Sequence, residues 1–294
     1  MIRLLKRGIR GLLIRNPTKA NYKFIMKDWH GLFDLSLASS VLETKRFSQN
    51  LQSIELETPA GERILVLAPH PDDDVFGAGG MLLKSLRRGR KVHIVYVTNG
   101  SQVESLGQKI RREAEDVCRA MGVSCCFLNC AVRGIAKSDE AVNEKLAQQI
   151  LTYKPDTLVT TFVLDDHDDH RRVNHLLMKA LSRDDVKVAL PKKTEVLWMQ
   201  IYSTVLPNVV VDISEVEQEK RHLIGLWRSV SGQRDWEHYV MGLNAFNCRF
   251  IPRREKIYAE VFFVIPVAEF RLLPVAEFRL LCEAYFSNTN NGEI

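Results

Sequence analysis

The sequence predicts an α/β fold built on a mainly parallel sheet with helices on both faces. Three observations carry that expectation. From about residue 62, short β-branched runs alternate with longer amphipathic stretches. Each run is bounded by turn residues. Two clusters of histidine and aspartate follow directly after two of the predicted strands. Alternation at this spacing describes βαβ units, whose crossover helices cover both faces of a parallel sheet. Ligands in such sheets bind beyond the carboxyl ends of the strands, where both clusters fall.

Taken in order, RILVLA (63–68) reads as the first buried strand and GGMLLKSLRRG (79–89) as the helix after it. A glycine-rich turn is expected between them, with Gly77, Gly79 and Gly80 letting the chain pass close beneath a pocket. KVHIVYVT (91–98), SCCFLN (124–129) and DTLVTTF (156–162) read as further strands. GQKIRREAEDVCRAMG (107–122) and DEAVNEKLAQQILTY (139–153) read as helices, the second with Val142, Leu146, Ile150 and Leu151 on one apolar face. Beyond residue 185, TEVLWMQIYS and NVVVDIS suggest strands, SEVEQEKRHLIGLWRSV one helix, and KIYAEVFFVI a closing strand. PVAEFRLL occurs at 266–273 and again, unchanged, at 274–281, a local duplication too short to make a solenoid. The expected organisation is a basic arm over 1–60, one domain over 61–265 and a tail over 266–294.

With 46% hydrophobic and 26% charged residues in 294, the chain has the composition of an ordinary globular protein with a sizeable core. Its net charge of +5 is unevenly spread. Residues 1–28 hold eight basic residues against Asp28 alone, which leaves the remainder slightly acidic and disfavours a nucleic-acid partner. Lys6, Arg7 and Arg10 interrupt the apolar residues of the arm, so it does not read as a signal peptide. Leu5, Ile9, Leu12 and Leu13 share one helical face; the arm is read either as packed on the domain or as a peripheral contact with an anionic membrane. No apolar run reaches the ~18–20 residues of a membrane span. The six cysteines include no C-x-x-C pair, which favours reduced structural thiols and a cytoplasmic protein, membrane-peripheral if the arm binds lipid.

Chemistry concentrates in PHPDDDVFGAGG (69–80) and LDDHDDHRRVNH (164–175). A catalytic zinc site takes three ligands from imidazole nitrogen and carboxylate oxygen and leaves a position for water. His70 and Asp73 would supply two, and His167 or His170, three apart in the second cluster, the third. Of Asp72 and Asp73, neighbours on a tight turn, one would bind the ion and the other face the water it holds. A divalent cation would also relieve the repulsion among three consecutive carboxylates. A dinucleotide fingerprint fails, because Leu82 stands where the third glycine is required.

These residues resemble the LmbE-like, or PIG-L, N-acetylglucosaminyl deacetylases. PHPDDDVFGAGG is similar to their A-H-P-D-D-E motif and HDDHRRVN to their H-P-D-H-R-x-V. VYVTNGSQ, RREAEDVCRAMGV, EKRHLIGLWRSVSGQ and YAEVFF extend the resemblance over about 62–264. It implies a Rossmann-like domain, with His70, Asp73 and His170 binding zinc and iron as the other ion such a site accepts. It further implies Asp72 as general base, His167 as oxyanion stabiliser and proton donor to the leaving amine, and Asp169 as support for an imidazole. The implied reaction removes the N-acetyl group of an amino sugar, free or on a nucleotide or lipid carrier. The alternatives are an amidase acting on a thiol–sugar conjugate and a peripheral membrane or assembly protein with a relic metal site. Arg111 or Arg112 would bind a sugar hydroxyl or a phosphate; a solvated helix face is the competing reading. His175 reads as structural, and Trp227 and Trp236 as core packing or ring-stacking groups. The chain departs from the family at Pro69, at Asp74 in place of glutamate, and at Asp168 in place of proline.

Overall fold

A computed structural model describes residues 53–273, apart from 136–139, 206, 232–233, 254 and 256. Residues 1–52 of the basic arm and the second octapeptide copy lie outside the described residues.

The elements run β1 (Ile54–Glu55), β2 (Arg63–Ala68), α1 (Asp73–Arg87), β3 (Lys91–Thr98), α2 (Glu104–Met121), β4 (Ser124–Cys130), α3 (Glu140–Tyr153) and β5 (Thr157–Thr161). They continue through α4 (Asp168–Leu181), α5 (Asp184–Ala189), β6 (Glu195–Met199), β7 (Val209–Asp212), α6 (Glu217–Gly225), α7 (Arg228–Ser231), α8 (Trp236–Asn247), β8 (Ala259–Pro266) and α9 (Val267–Phe270). The sheet order is β1-β7-β8-β6-β5-β2-β3-β4. β8 runs antiparallel to β6 and β7, while the other pairs are parallel. Every residue from Ile64 to Ala68 is buried, so side chains pointing to both faces of β2 are covered, as a doubly covered parallel sheet requires. Among the described residues, no helix is long and apolar enough to cross a membrane.

Topology fixes where a site can form. From β2 the chain moves to β3 and β4 on one side, then returns to β5 on the other. The loops leaving the adjacent strands β2 and β5 therefore diverge, opening a crevice at their carboxyl ends.

The glycine-rich segment is not a turn. Helix α1 begins at Asp73, and its interior contains Gly77, Gly79 and Gly80. These glycines serve packing: a Cβ on Gly77 would sit 2.7 Å from Ile201 Cδ1, and one on Gly80 2.6 Å from Ile213 Cβ and Cγ2. Gly80→Ala is accordingly expected to destabilise the fold by about 1–3 kcal/mol through overpacking. That outweighs the gain of up to ~1 kcal/mol from better helix propensity. Urea unfolding would check this, and a variant at least as stable as the parent would refute the packing argument.

The glycines also make room for a buried ion pair. Lys220 Nζ meets Glu260 Oε1 at 2.6 Å, and neither side chain is exposed. Glu260 accepts from the backbone N–H of Gly80 at 2.7 Å and of Met81 at 2.8 Å. Lys220 donates to Phe76 O at 3.0 Å and Asn244 Oδ1 at 2.8 Å. Phe76 O and Gly80 N, which would close one rung of the helix, are thus each met by a member of the pair. This ties α1 to α6, α8 and β8.

Other differences from the expected elements are local. The stretch expected as one helix over 214–230 is split into a 3₁₀ turn, Ser214–Val216, and helices α6 and α7. The acidic LDDHDDH segment passes into a helix, α4, after one turn. The first octapeptide copy forms α9 and packs against the domain, burying Val267, Phe270 and Leu273. Val267 N donates to Thr194 O at 3.0 Å, and Arg271 Nε to Leu181 O at 2.8 Å.

Candidate active site

The first site loop leaves β2 through Pro69, His70 and Pro71. Thr98, at the end of β3, fixes it: its N–H and its hydroxyl both donate to Pro69 O, at 3.0 and 2.9 Å. The chain then reverses at Asp72, whose φ of 119° is unusual for a residue with a side chain. Such a conformation costs about 1–3 kcal/mol and persists only where its surroundings impose it. Asp72 is the N-cap of α1, yet its carboxylate makes no capping hydrogen bond. An aspartate here normally caps the helix; this one is buried, 8% exposed, with its carboxylate released from that task.

Asp73 follows in the first turn of α1, where the helix dipole favours negative charge. His70 Nδ1 lies 3.2 Å from Asp73 Oδ2, and His170 Nε2 lies 3.3 Å from the same oxygen. The two ring nitrogens are 3.2 Å apart. Three potential ligand atoms, from the loop after β2 and the first turns of α1 and α4, thus form a nearly equilateral triangle.

The remaining ring nitrogens face carboxylates. His70 Nε2 meets Asp169 Oδ2 at 3.1 Å, and His170 Nδ1 meets Asp165 Oδ1 at 3.2 Å. Asp169 is held by the N–H of Arg133, a residue at φ 59°, at 2.7 Å. Asp165 is held by the N–H groups of Tyr202 at 3.1 Å and His167 at 3.0 Å. A proton on each outer nitrogen leaves both imidazole lone pairs pointing into the triangle toward a carboxylate. Three electron-rich atoms at this separation repel unless positive charge sits among them.

The electrostatics say the same. Burial disfavours charge on His70, but Asp169 and Asp73 overcome it and lift the imidazole to about 10. Burial likewise opposes charge on His170, and Asp73 and Asp165 overcome it and raise the group. Against its own burial, Asp73 is held well below the usual carboxylate range by His170 and His70. Asp72, in contrast, is raised well above it by burial and by the adjacent charge of Asp73. Two neighbouring carboxylates are thereby driven apart, one firmly anionic and one inclined to take a proton.

The triangle fits a metal ion. Zinc–nitrogen and zinc–oxygen distances of about 2.0–2.2 Å give ligand-to-ligand edges of about 3.4 Å in a tetrahedron and about 3.0 Å in an octahedron. The observed edges of 3.2–3.3 Å lie between and accept either. His70, His167 and His170 form a second, looser group, with one nitrogen from each within 4.8 Å of the others. We favour the set containing Asp73, because its edges match and because His167 Nδ1 already accepts the N–H of Asp169 at 3.2 Å. His167 is the N-cap of α4, its ring 4.7 Å from that of His70. Burial, then the positive character of His70 and His170, lowers it to about 4, so it stands as a neutral imidazole.

Asp74 points away from this centre: its Oδ2 accepts from the Tyr96 hydroxyl at 3.0 Å in the core, and burial raises it to about 6. Asp168 pairs with Arg172 on α4. Arg111 is engaged on α2, bonding Glu115 at 3.2 Å and Asn129 at 3.3 Å and lying over the Phe127 ring. Arg112 is exposed, and among the described residues neither arginine bonds to the cluster. Trp227 is core, whereas Trp236 is half-buried. Sequence reasoning did not single out Asp165, Tyr202 or the backbone of Arg133. Only the acidic character of the second cluster hinted at Asp165.

Known proteins agree with this architecture. A family profile described as PIG-L, GlcNAc-PI de-N-acetylase, matches residues 65–181, which include both site loops. A protein named "Probable N-acetyl-alpha-D-glucosaminyl L-malate deacetylase 2" from Bacillus cereus is 26% identical over 187 residues, covering 56% of this chain and 82% of that one. The solved N,N'-diacetylchitobiose deacetylase from Pyrococcus horikoshii is similar in fold, with a TM-score of 0.61, 22% identity and coverage of 85% of this chain and 97% of that one. So is GalB, the 4-carboxy-2-hydroxymuconate hydratase from Pseudomonas putida KT2440, with a TM-score of 0.57, 19% identity and coverage of 70% and 96%. One architecture therefore carries different reactions, and the chemistry has to be argued from the site.

Proposed function

Because the chain carries a domain of the PIG-L (LmbE-like) family, we propose that it is a metal-dependent hydrolase that removes the N-acetyl group of an amino sugar and releases acetate. The observation that carries this reading is the triangle of His70 Nδ1, Asp73 Oδ2 and His170 Nε2, with Asp72 beside it. In this reading these three side chains hold zinc or ferrous iron. A divalent ion there lowers the pKa of water toward neutrality and polarises an amide carbonyl.

The chain's own residues do the rest. Asp72 takes the proton of the attacking water, a task suited to a carboxylate whose environment raises its proton affinity. His167 donates a hydrogen bond to the oxygen that becomes negative at the tetrahedral stage. The proton that Asp72 took from the water then passes to the departing nitrogen while His167 keeps its hydrogen bond to the oxygen, so the C–N bond breaks with a neutral amine leaving. Asp169 and Asp165 hold the two ligating imidazoles by their outer nitrogens. Arg133 N and Tyr202 N fix those carboxylates in turn.

The test is metal content by mass spectrometry on the full chain, followed by acetate release from a panel of N-acetylhexosamines and their conjugates. About one zinc or iron per chain is expected, with acetate release that a chelator abolishes and added metal restores. A protein that takes up no divalent metal at neutral pH, or whose acetate release ignores chelation, would refute the reading.

A further inference from the structure

An aromatic wall leads away from the His/Asp cluster. The Tyr202 ring stacks on His170 with centroids 5.2 Å apart and planes at 22°. Trp236 lies 6.3 Å from Tyr202, and Tyr239 lies 6.1 Å from Trp236. Phe76, in α1, backs Trp236 at 5.5 Å. Although they pack against one another, Tyr202 and Tyr239 remain 47% and 57% exposed. Side chains from the loop after β6 and the first turn of α8 thus form a chain of ring contacts that starts at the candidate reaction centre and includes two exposed tyrosines. Aromatic faces so placed suit the C–H face of a pyranose, an apolar body with a polar rim.

The wall ends in a cation. The Arg234 guanidinium lies 5.7 Å from the Trp236 ring centroid. Arg234 is exposed, and among the described residues it has no carboxylate partner. The neighbouring Asp235 is engaged instead as the N-cap of α8, accepting the N–H of His238 at 3.0 Å. The wall therefore runs from the His/Asp cluster to a guanidinium that has no carboxylate partner among the described residues.

We infer that Tyr202, Trp236 and Tyr239 stack the sugar while Arg234 binds an anionic group, phosphate or carboxylate, carried on that sugar's substituent. Position sets the orientation: the N-acetyl group enters at the inner end, beside the candidate reaction centre, and the charged substituent points outward to Arg234. The guanidinium's planar fork matches either oxyanion. This subsite rests on the amino-sugar reading for its ligand, but not on the hydrolytic step.

Titration calorimetry on the full chain separates the two. The probes are methyl N-acetylglucosaminide, its carboxymethyl counterpart and N-acetylglucosamine 1-phosphate, each tested with the parent protein, Arg234→Gln and Trp236→Leu. The parent is expected to bind at least one anionic sugar roughly tenfold or more tightly than the neutral one, the scale of one hydrogen bond to a charged group. Arg234→Gln should collapse that ratio toward one, and Trp236→Leu should weaken all three probes. Which anionic probe binds tighter identifies phosphate or carboxylate. Binding with this pattern but no acetate release would sustain the subsite and refute the deacetylase reading. Acetate release with no anionic preference, or with a preference indifferent to Arg234→Gln, would overturn the subsite alone. Failure of all three sugars to bind would overturn it as well.

Discussion

Asp72→Asn is expected to leave metal content unchanged while lowering kcat for acetate release by roughly 10²–10⁴-fold, the usual contribution of a positioned general base. Asparagine is the informative replacement. It keeps the shape of the side chain and is among the residues that best tolerate positive φ, so the backbone at φ 119° need not rearrange. What it removes is the capacity to accept a proton. His170→Ala forms the contrast, since it deletes one corner of the triangle and should lose metal and activity together. Mass spectrometry for metal and single-turnover acetate release on both variants distinguish the roles. An Asp72→Asn protein with full kcat would reassign the base, and one that had lost its metal would make Asp72 a ligand.

Glu260→Ala is expected to cost about 3–5 kcal/mol of stability, because it strands Lys220 as an unpaired charge in the core. That is a large share of the ~5–15 kcal/mol that holds a typical domain together. The lesion would not stop at the charge. Gly80 N and Met81 N lose their acceptor, so α1 is weakened two turns after the Asp73 it presents to the site. Lys220→Met should be milder: it removes the cation and leaves Glu260 with two backbone donors. Urea unfolding followed by fluorescence gives the ordering, and a Glu260→Ala protein no less stable than Lys220→Met would refute the account.

The parallel core was legible because strands buried on both faces read as near-continuous apolar runs. RILVLA and KVHIVYVT coincide with β2 and β3 residue for residue. Helix α1 was misplaced because GAGG is a poor helix-forming string by propensity. Packing against Met199, Ile201 and Ile213 overrides that, and it is visible only once the sheet is assembled. The same holds within the site. His70, Asp72, Asp73, His167, Asp169 and His170 stand in two short strings whose composition marks them, and the structure brings their side chains together. The support from Arg133 N and Tyr202 N is carried by backbone, which has no residue-type signature. Lys220 and Glu260 were visible only as parts of two apolar-flanked strings, and their pairing across 40 residues could not be read from either.

The docked octapeptide has a consequence for how the chain can vary. Segment 266–273 is a structural part of the domain, covering the ends of β6 and α4, and an unchanged copy stands immediately behind it at 274–281. Deleting either copy yields one and the same polypeptide, in which PVAEFRLL still follows β8 directly. Slippage that shortens the repeat therefore cannot cost the domain its clasp.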